Sequence, residues 1–228
     1  MKVLFIPVKA KLEPREILEG VQIPFKKIGL CTTAQFISYL KELKSALEEK
    51  GYEVKIGKPK ATAIKPGQIL GCDVSAAQSI ENEVDAFLYI GTGTFHPLGI
   101  AAQTSKPVLI LNPFTKELKA LSEDEKQKFV KRKIQTLAKF EGANKIGILV
   151  STKPGQRELQ AQAKKIKELL EAKGKKVYLF ICDNILDSEL QNFMTIDAWV
   201  NTACPRLADD FFSKPFVNAL DLMRYVYK

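Results

Sequence analysis

Four cysteines and a single histidine are the soft ligands of this 228-residue chain, and their settings differ. Cys204 stands in "WVNTACPRLADD", just past a short apolar run and directly before a proline, so Ala203-Cys204 marks a strand end and not its middle. Cys72 stands in "GQILGCDVSAAQ", a non-periodic stretch where a thiol has little packing reason. Cys31 follows Ile28, Gly29 and Leu30 inside a strand-like run and reads as core filler, the common fate of a free cysteine. Cys182 closes the apolar run "VYLFI" and also looks like core, with a minor functional reading. A proline after a ligating cysteine is familiar from iron–sulfur proteins, although Cys-Pro alone is a weak signal. A tetrahedral zinc site would have to recruit nearly every soft ligand present.

His96 follows "IGTGTF", a glycine-rich strand end whose backbone N–H groups could cradle an anion. The spacing is neither a dinucleotide fingerprint nor a P-loop, and a lone histidine before proline is more often a loop residue with one hydrogen bond than a catalyst. No nucleophile elbow, paired catalytic carboxylates or metalloprotease helix is present.

The elements that must position these residues form a repeat. "KKIGLCTTAQFISYLKELKSALEEKGYEVKIG" reads as strand, helix and strand, with a stripe at Phe36, Leu40, Leu43 and Leu47 and a stop at Gly51. "NKIGILVSTKPGQRELQAQAKKIKELLEAKGKKVYLFIC" reads the same way, with Ala163, Ile166 and Leu170 on one face and Gly174 as the stop. The Lys-Ile-Gly starts differ by 118 positions and the glycine stops by 123. Further on, Cys72-Asp73 is followed after 13 residues by Asp85-Ala86, and Cys182-Asp183 after 15 by Asp197-Ala198. This alignment matches Cys72 with Cys182 and sets Cys204 near Gly93. Both halves are strand-helix-strand units of a parallel sheet, and ligands bind outside the C-terminal strand ends of such sheets.

The expected fold class is α/β, two similar parallel-sheet domains over residues 1–118 and 119–228, with "KVLFIPV" adding a strand-like N-terminal extension. "SEDEKQKFVKRKIQTLAKFEGA" reads as a serine-capped bridging helix with Val130, Ile134 and Leu137 facing inward. Scattered cysteines without a CxxC pair suit a reduced, cytoplasmic protein. The N-terminus does not resemble a signal peptide, and no window reaches the roughly 20 apolar residues of a membrane span. A net charge of +9 and a pI near 9.3 favour an acidic partner, RNA or a protein face, but no nucleic-acid module is present and direct nucleic-acid binding is not expected.

"GQILGCDVSAAQSIENEVDAFLYIGTGTFHPLGIA" and "NFMTIDAWVNTACPRLADDF", with "KKIGLCTTAQ", resemble the second and third domains of the archaeal enzyme that begins diphthamide biosynthesis, the 2-(3-amino-3-carboxypropyl)histidine synthase of the Dph1/Dph2 family. The resemblance implies a transferase of three similar α/β domains about a central [4Fe-4S] cluster, one cysteine from each. Three thiolates leave one iron open to the amino and carboxylate groups of S-adenosyl-L-methionine. Reduction of the sulfonium then breaks its Cγ–S bond, and the 3-amino-3-carboxypropyl radical adds to a histidine of translation elongation factor 2. By motif, Cys72 and Cys204 stand at the second and third domains' metal ligands. The same resemblance makes Gly91 and Gly93 places where backbone can approach the cofactor, and His96 a weaker pocket residue. Arg206 could hold the methionyl carboxylate or neutralise the cluster; its plain alternative is a salt bridge to Asp209 or Asp210.

Family members carry an upstream domain with the first cysteine, whereas this sequence starts at Met1 where that domain would be closing. Three readings stay open: completion by a separate first domain, a non-catalytic subunit paired with a complete homologue, or completion by another cysteine. For the last, Cys182 and Cys204 would end neighbouring strands about 5 Å apart. The expected partners are elongation factor 2 as substrate and a homologous subunit or separate first domain, with a homodimer when that partner is absent. The rival class is a scaffold that keeps the fold and holds no cluster.

Overall fold

Nearly continuous apolar runs beginning at Lys27 and Lys145 form strands whose side chains are covered on both faces, as in parallel sheets flanked by helices. The computed structural model describes residues 4, 6, 8–154 and 160–225. It divides the chain into two units, Met1–Phe129 and Val130–Lys228.

In the first unit the strands are β1 (Lys27–Thr32), β2 (Glu53–Lys55), β3 (Ala86–Ile90), β4 (Val108–Leu111) and β5 (Leu118–Ala120), in the order β2-β1-β3-β4-β5. All pairings are parallel except β4 with β5. Alternate residues face opposite layers. Ile28, Leu30, Leu88, Ile90, Leu109 and Leu111 pack against helices α1 (Pro14–Ile17) and α2 (Leu40–Glu49). Cys31, Phe87, Tyr89, Val108 and Ile110 pack beneath α3 (Ser75–Gln78) and α4 (Phe95–Ala101). The Phe36, Leu40, Leu43 and Leu47 stripe is buried as expected.

The second unit has β6 (Lys145–Ser151), β7 (Lys176–Cys182), β8 (Ala198–Asn201) and β9 (Phe216–Asn218), all parallel in the order β7-β6-β8-β9. One face carries Ile146, Ile148, Val200 and Val217 against α6 (Gln160–Ala172), α8 (Ala219–Tyr225) and the C-terminal part of α5 (Glu123–Glu141). The other holds Leu149, Trp199 and Phe216 with Leu190 of α7 (Asp187–Leu190).

The repeat is physical. Gly29 pairs with Phe87 and Gly147 with Trp199 across neighbouring strands. A Cβ at Gly29 would lie 2.5 Å from the Phe87 ring, and one at Gly147 would lie 2.2 Å from Trp199. Asp85 accepts the Lys27 N–H at 3.1 Å, and Asp197 accepts the Lys145 N–H at 2.7 Å. The same glycine admits an aromatic ring, and the same carboxylate ties the first strand to the third.

The division between units falls inside α5. Its start is a capping box: the Ser122 hydroxyl accepts the Glu125 N–H at 3.1 Å, and the Glu125 carboxylate accepts the Ser122 N–H at 2.9 Å. Lys119 and these Ser122 contacts hold the Glu125 carboxyl down to about 2. Leu137 faces inward as expected, but Ile134 does not: it is 52% exposed, and Phe140 takes the next buried place. The apolar stripe is narrower than its sequence suggests because only the last turns of the helix are covered. Of "KVLFIPV", Leu4, Ile6 and Val8 are exposed and outside any strand; its other residues lie outside the described ones.

Candidate functional site

In the first unit, the segment after β2 returns to the C-terminal end of β1, where Thr32 bridges Gln68 in parallel. It then turns sharply, Leu70 and Asp73 exchanging both backbone hydrogen bonds across Gly71-Cys72. The Asp73 carboxylate secures the turn by accepting N–H bonds from Ser75 at 2.9 Å and Ala63 at 2.7 Å. Burial alone would push the Asp73 carboxyl up, but bonds from Ser75, Ala63 and Thr62 together hold it below its ordinary value. Cys72 is thus presented half-buried at the tip of a pinned turn.

The loop after β3 meets this turn. Phe95, the first residue of α4, covers Gly71, so a Cβ there would fall 2.4 Å from the ring. His96 stacks on Tyr89 with ring centroids 6.1 Å apart and planes 16° from parallel. Burial lowers the His96 pKa, so its imidazole is neutral near pH 7. Burial raises the Tyr89 phenol to about 12, against a hydrogen bond with the Thr33 side chain. The Tyr89 hydroxyl occupies the space in front of Gly91: a Cβ there would meet it at 2.7 Å. Gly93 adopts the left-handed conformation, φ 72°, with open space before it. Cys72, Gly91, Gly93 and His96 therefore share the C-terminal edge of this sheet.

In the second unit, β8 ends at Asn201 and the chain leaves the sheet through Thr202 and Ala203. Cys204 is extended, φ −65° and ψ 123°, and caps the 3-10 helix Pro205–Asp209. Its side chain is exposed. Its carbonyl accepts from Asn201 Nδ2 at 3.0 Å and from the Leu207 N–H at 3.1 Å. Arg206 makes the salt bridges expected as its plain alternative, 3.4 Å to Asp210 and 3.6 Å to Asp209.

Cys31 is fully buried in β1, where desolvation pushes its thiol up to about 12; it is core. Cys182 requires two corrections. β6 lies between β7 and β8, so Cys182 and Cys204 do not end neighbouring strands. In register it matches Ile69 and not Cys72, because Gln68 sits beside Thr32 as Ile181 sits beside Val150. Its half-buried thiol lies 3.8 Å from the Val150 carbonyl, and burial raises its pKa. The residues that sequence reasoning missed are Asp73 as a pin, Tyr89 beneath His96, and Asn201 beside Cys204. "CD" and "NTAC" contain two of them, but only the register reveals their partners.

Loop thiols are the donor type that iron–sulfur clusters, zinc and Cu(I) take. Their number does not close a site: no group of three or more His, Cys, Asp or Glu side chains that could hold a metal occurs among the described residues.

The sequence model described as "Putative diphthamide synthesis protein" matches residues 1–225. The chain belongs to the diphthamide synthesis protein family. It is similar to the 2-(3-amino-3-carboxypropyl)histidine synthases of Pyrococcus horikoshii, 38% identical over 91% of this chain and 60% of that protein, and Methanocaldococcus jannaschii, 32% identical over 94% and 59%. The crystal structure of Dph2 from Pyrococcus horikoshii with a 4Fe-4S cluster superimposes with a TM-score of 0.80 at 34% identity, over 95% of this chain and 63% of that one. The chain thus spans about 60% of the length of these diphthamide synthesis proteins. No helix among the described residues is long and apolar enough to cross a membrane.

Proposed function

We propose that this chain is the part of a 2-(3-amino-3-carboxypropyl)histidine synthase that supplies Cys72 and Cys204 as two thiolate ligands of a [4Fe-4S] cluster, its two units corresponding to the family's second and third domains. The observation that carries this reading is the contrast among the thiols: Cys72 and Cys204 stand at loop positions past strand ends, whereas Cys31 and Cys182 lie within strands. When bound, such a cluster supplies an open iron for the amino acid end of S-adenosyl-L-methionine and an electron for its sulfonium. The chain's own residues orient. Asp73 and Asn201 hold the two thiol-bearing turns, Gly93 leaves open space where cofactor can approach the backbone, Gly91 instead admits the Tyr89 hydroxyl, and neutral His96 lines that edge. Arg206, always charged, exchanges Asp209 and Asp210 for the methionyl carboxylate. The acceptor is a histidine of translation elongation factor 2. This chain spans about 60% of the relatives' length, and a further thiol comes from the remaining part of the enzyme, whether another domain or a homologous subunit; without it the chain self-associates as a dimer.

The test is anaerobic reconstitution with iron and sulfide, followed by transfer from labelled S-adenosyl-L-methionine to elongation factor 2 under dithionite. The chain with a partner supplying the upstream domain should turn brown, hold close to four irons per assembled site and transfer label. The isolated chain should not transfer. A colourless preparation with under one iron per chain, partner present, would make this chain a scaffold. Robust transfer by the isolated chain that needs Cys182 would overturn the missing-thiol reading.

A further inference from the structure

Asn201 and Asn218 face each other across β8 and β9, and both are buried. Asn201 Nδ2 donates to Asn218 Oδ1 at 2.8 Å and to the Cys204 carbonyl at 3.0 Å, while its Oδ1 accepts the Ala203 N–H at 2.9 Å. Asn218 Nδ2 donates to the Pro205 carbonyl at 3.2 Å and to Asp221 Oδ2 at 3.4 Å. Asp221, also buried, accepts from Lys133 Nζ at 2.9 Å on its other oxygen. The relay runs from the ion pair on α5 and α8, through two strand-end amides, to the three consecutive residues 203–205.

An ordinary strand end does not need this. Buried polar groups are costly unless every member is satisfied, and apolar side chains would serve packing alone. Here the polar atoms converge on the backbone on both sides of one residue. The Ala203 N–H is fixed before Cys204, its own carbonyl and that of Pro205 are fixed after it, and Pro205 has a ring-restricted φ. The Cys204 side chain alone is left facing outward. A metal thiolate depends on surrounding hydrogen bonds to fix its direction.

We propose that Asn218, acting through Asn201, is a positioning residue that fixes the Cys204 backbone and so aims its thiol. This rests on the reading of Cys204 as a cluster ligand, but its test does not need iron. In the iron-free chain, amide hydrogen exchange of residues 203–207 and of the Leu70–Asp73 turn is followed by mass spectrometry in Asn218→Ala and Asn218→Ser, alongside thermal melts. The Ala203 N–H, held by Asn201, and the Leu207 N–H, held by the Cys204 carbonyl, should exchange at least about ten-fold faster, the factor by which a lost buried hydrogen bond shifts a local opening equilibrium, while the Leu70 and Asp73 amides keep their rates. The serine variant, with a hydroxyl in place of the amide, should lie between. Unchanged exchange at residues 203–207 in a folded variant overturns the proposal. Equal acceleration in both segments, or loss of a cooperative melt in both variants, also overturns it in favour of general stability. In the reconstituted complex Asn218→Ala should alter the cluster's electron paramagnetic resonance spectrum. Full iron retention by Cys204→Ala would instead refute the ligand assignment and leave the exchange result standing by itself.

Discussion

Phe95 and Gly71 fit together as ring and bare backbone: the ring occupies the volume that any side chain at position 71 would need, with a Cβ falling 2.4 Å from it. This contact joins the glycine-rich loop after β3 to the turn that carries Cys72. Gly71→Ala should cost about 1–3 kcal/mol, the usual penalty for overpacking. Phe95→Ala in the same chain should recover part of that loss, which a double-mutant cycle of urea midpoints measures.

Asp73→Asn removes a carboxylate that accepts bonds from Ser75 and Ala63 and sets an amide N–H₂ among donors. The expected cost is about 1–3 kcal/mol. The wild-type pH dependence follows from the lowered Asp73 pKa. The folded carboxyl titrates below the unfolded one, so its stabilisation is complete above the unfolded value and is lost as pH falls through the folded value. Urea unfolding between about pH 5 and pH 2 should show a slope that is shallower in the variant.

Cys204→Ala should abolish iron retention in the assembled complex, whereas Cys31→Ala, deep in β1, should leave iron content unchanged. Iron counting on both variants checks this, and equal iron in the two would remove Cys204 from the ligand set.

Leu137→Ala should cost about 2–5 kcal/mol, because the side chain is buried beneath the second sheet. Ile134→Ser, one turn earlier and exposed, should shift stability by less than about 0.5 kcal/mol. Thermal melts of both variants separate the covered and uncovered parts of α5.

The strand-helix-strand halves were legible because alternating layers of apolar residues leave their period in the chain, as Leu40, Leu43 and Leu47 do. The Lys-Ile-Gly pair was legible as a repeat, but its cause was not: Phe87 and Trp199 reach those glycines from strands more than fifty residues away. Ile134 misled because periodicity records which face is apolar and not how much of a helix is covered. Cys182 misled because strand order is a long-range property, and inserting β6 between β7 and β8 changes no local pattern. Cys72 and Cys204 were legible as loop thiols from the breaks around them. The hydrogen bonds that hold those loops were not, since Ala63 lies ten residues from Asp73 and Asn218 seventeen from Asn201.

The repeat that carries Lys27 onto Lys145 and Asp85 onto Asp197 does not carry Cys72 onto Cys204. From Glu53 to Asp85 the first half uses 32 residues, and from Lys176 to Asp197 the second uses 21. The surplus falls in the segment that bears Cys72, while Cys204 follows the third strand of its own half. If one ancestral half was duplicated to give both, the duplication transmitted a scaffold and not a pair of equivalent thiols. The two cysteine positions then have separate histories, and a substitution at one predicts nothing by symmetry about the other.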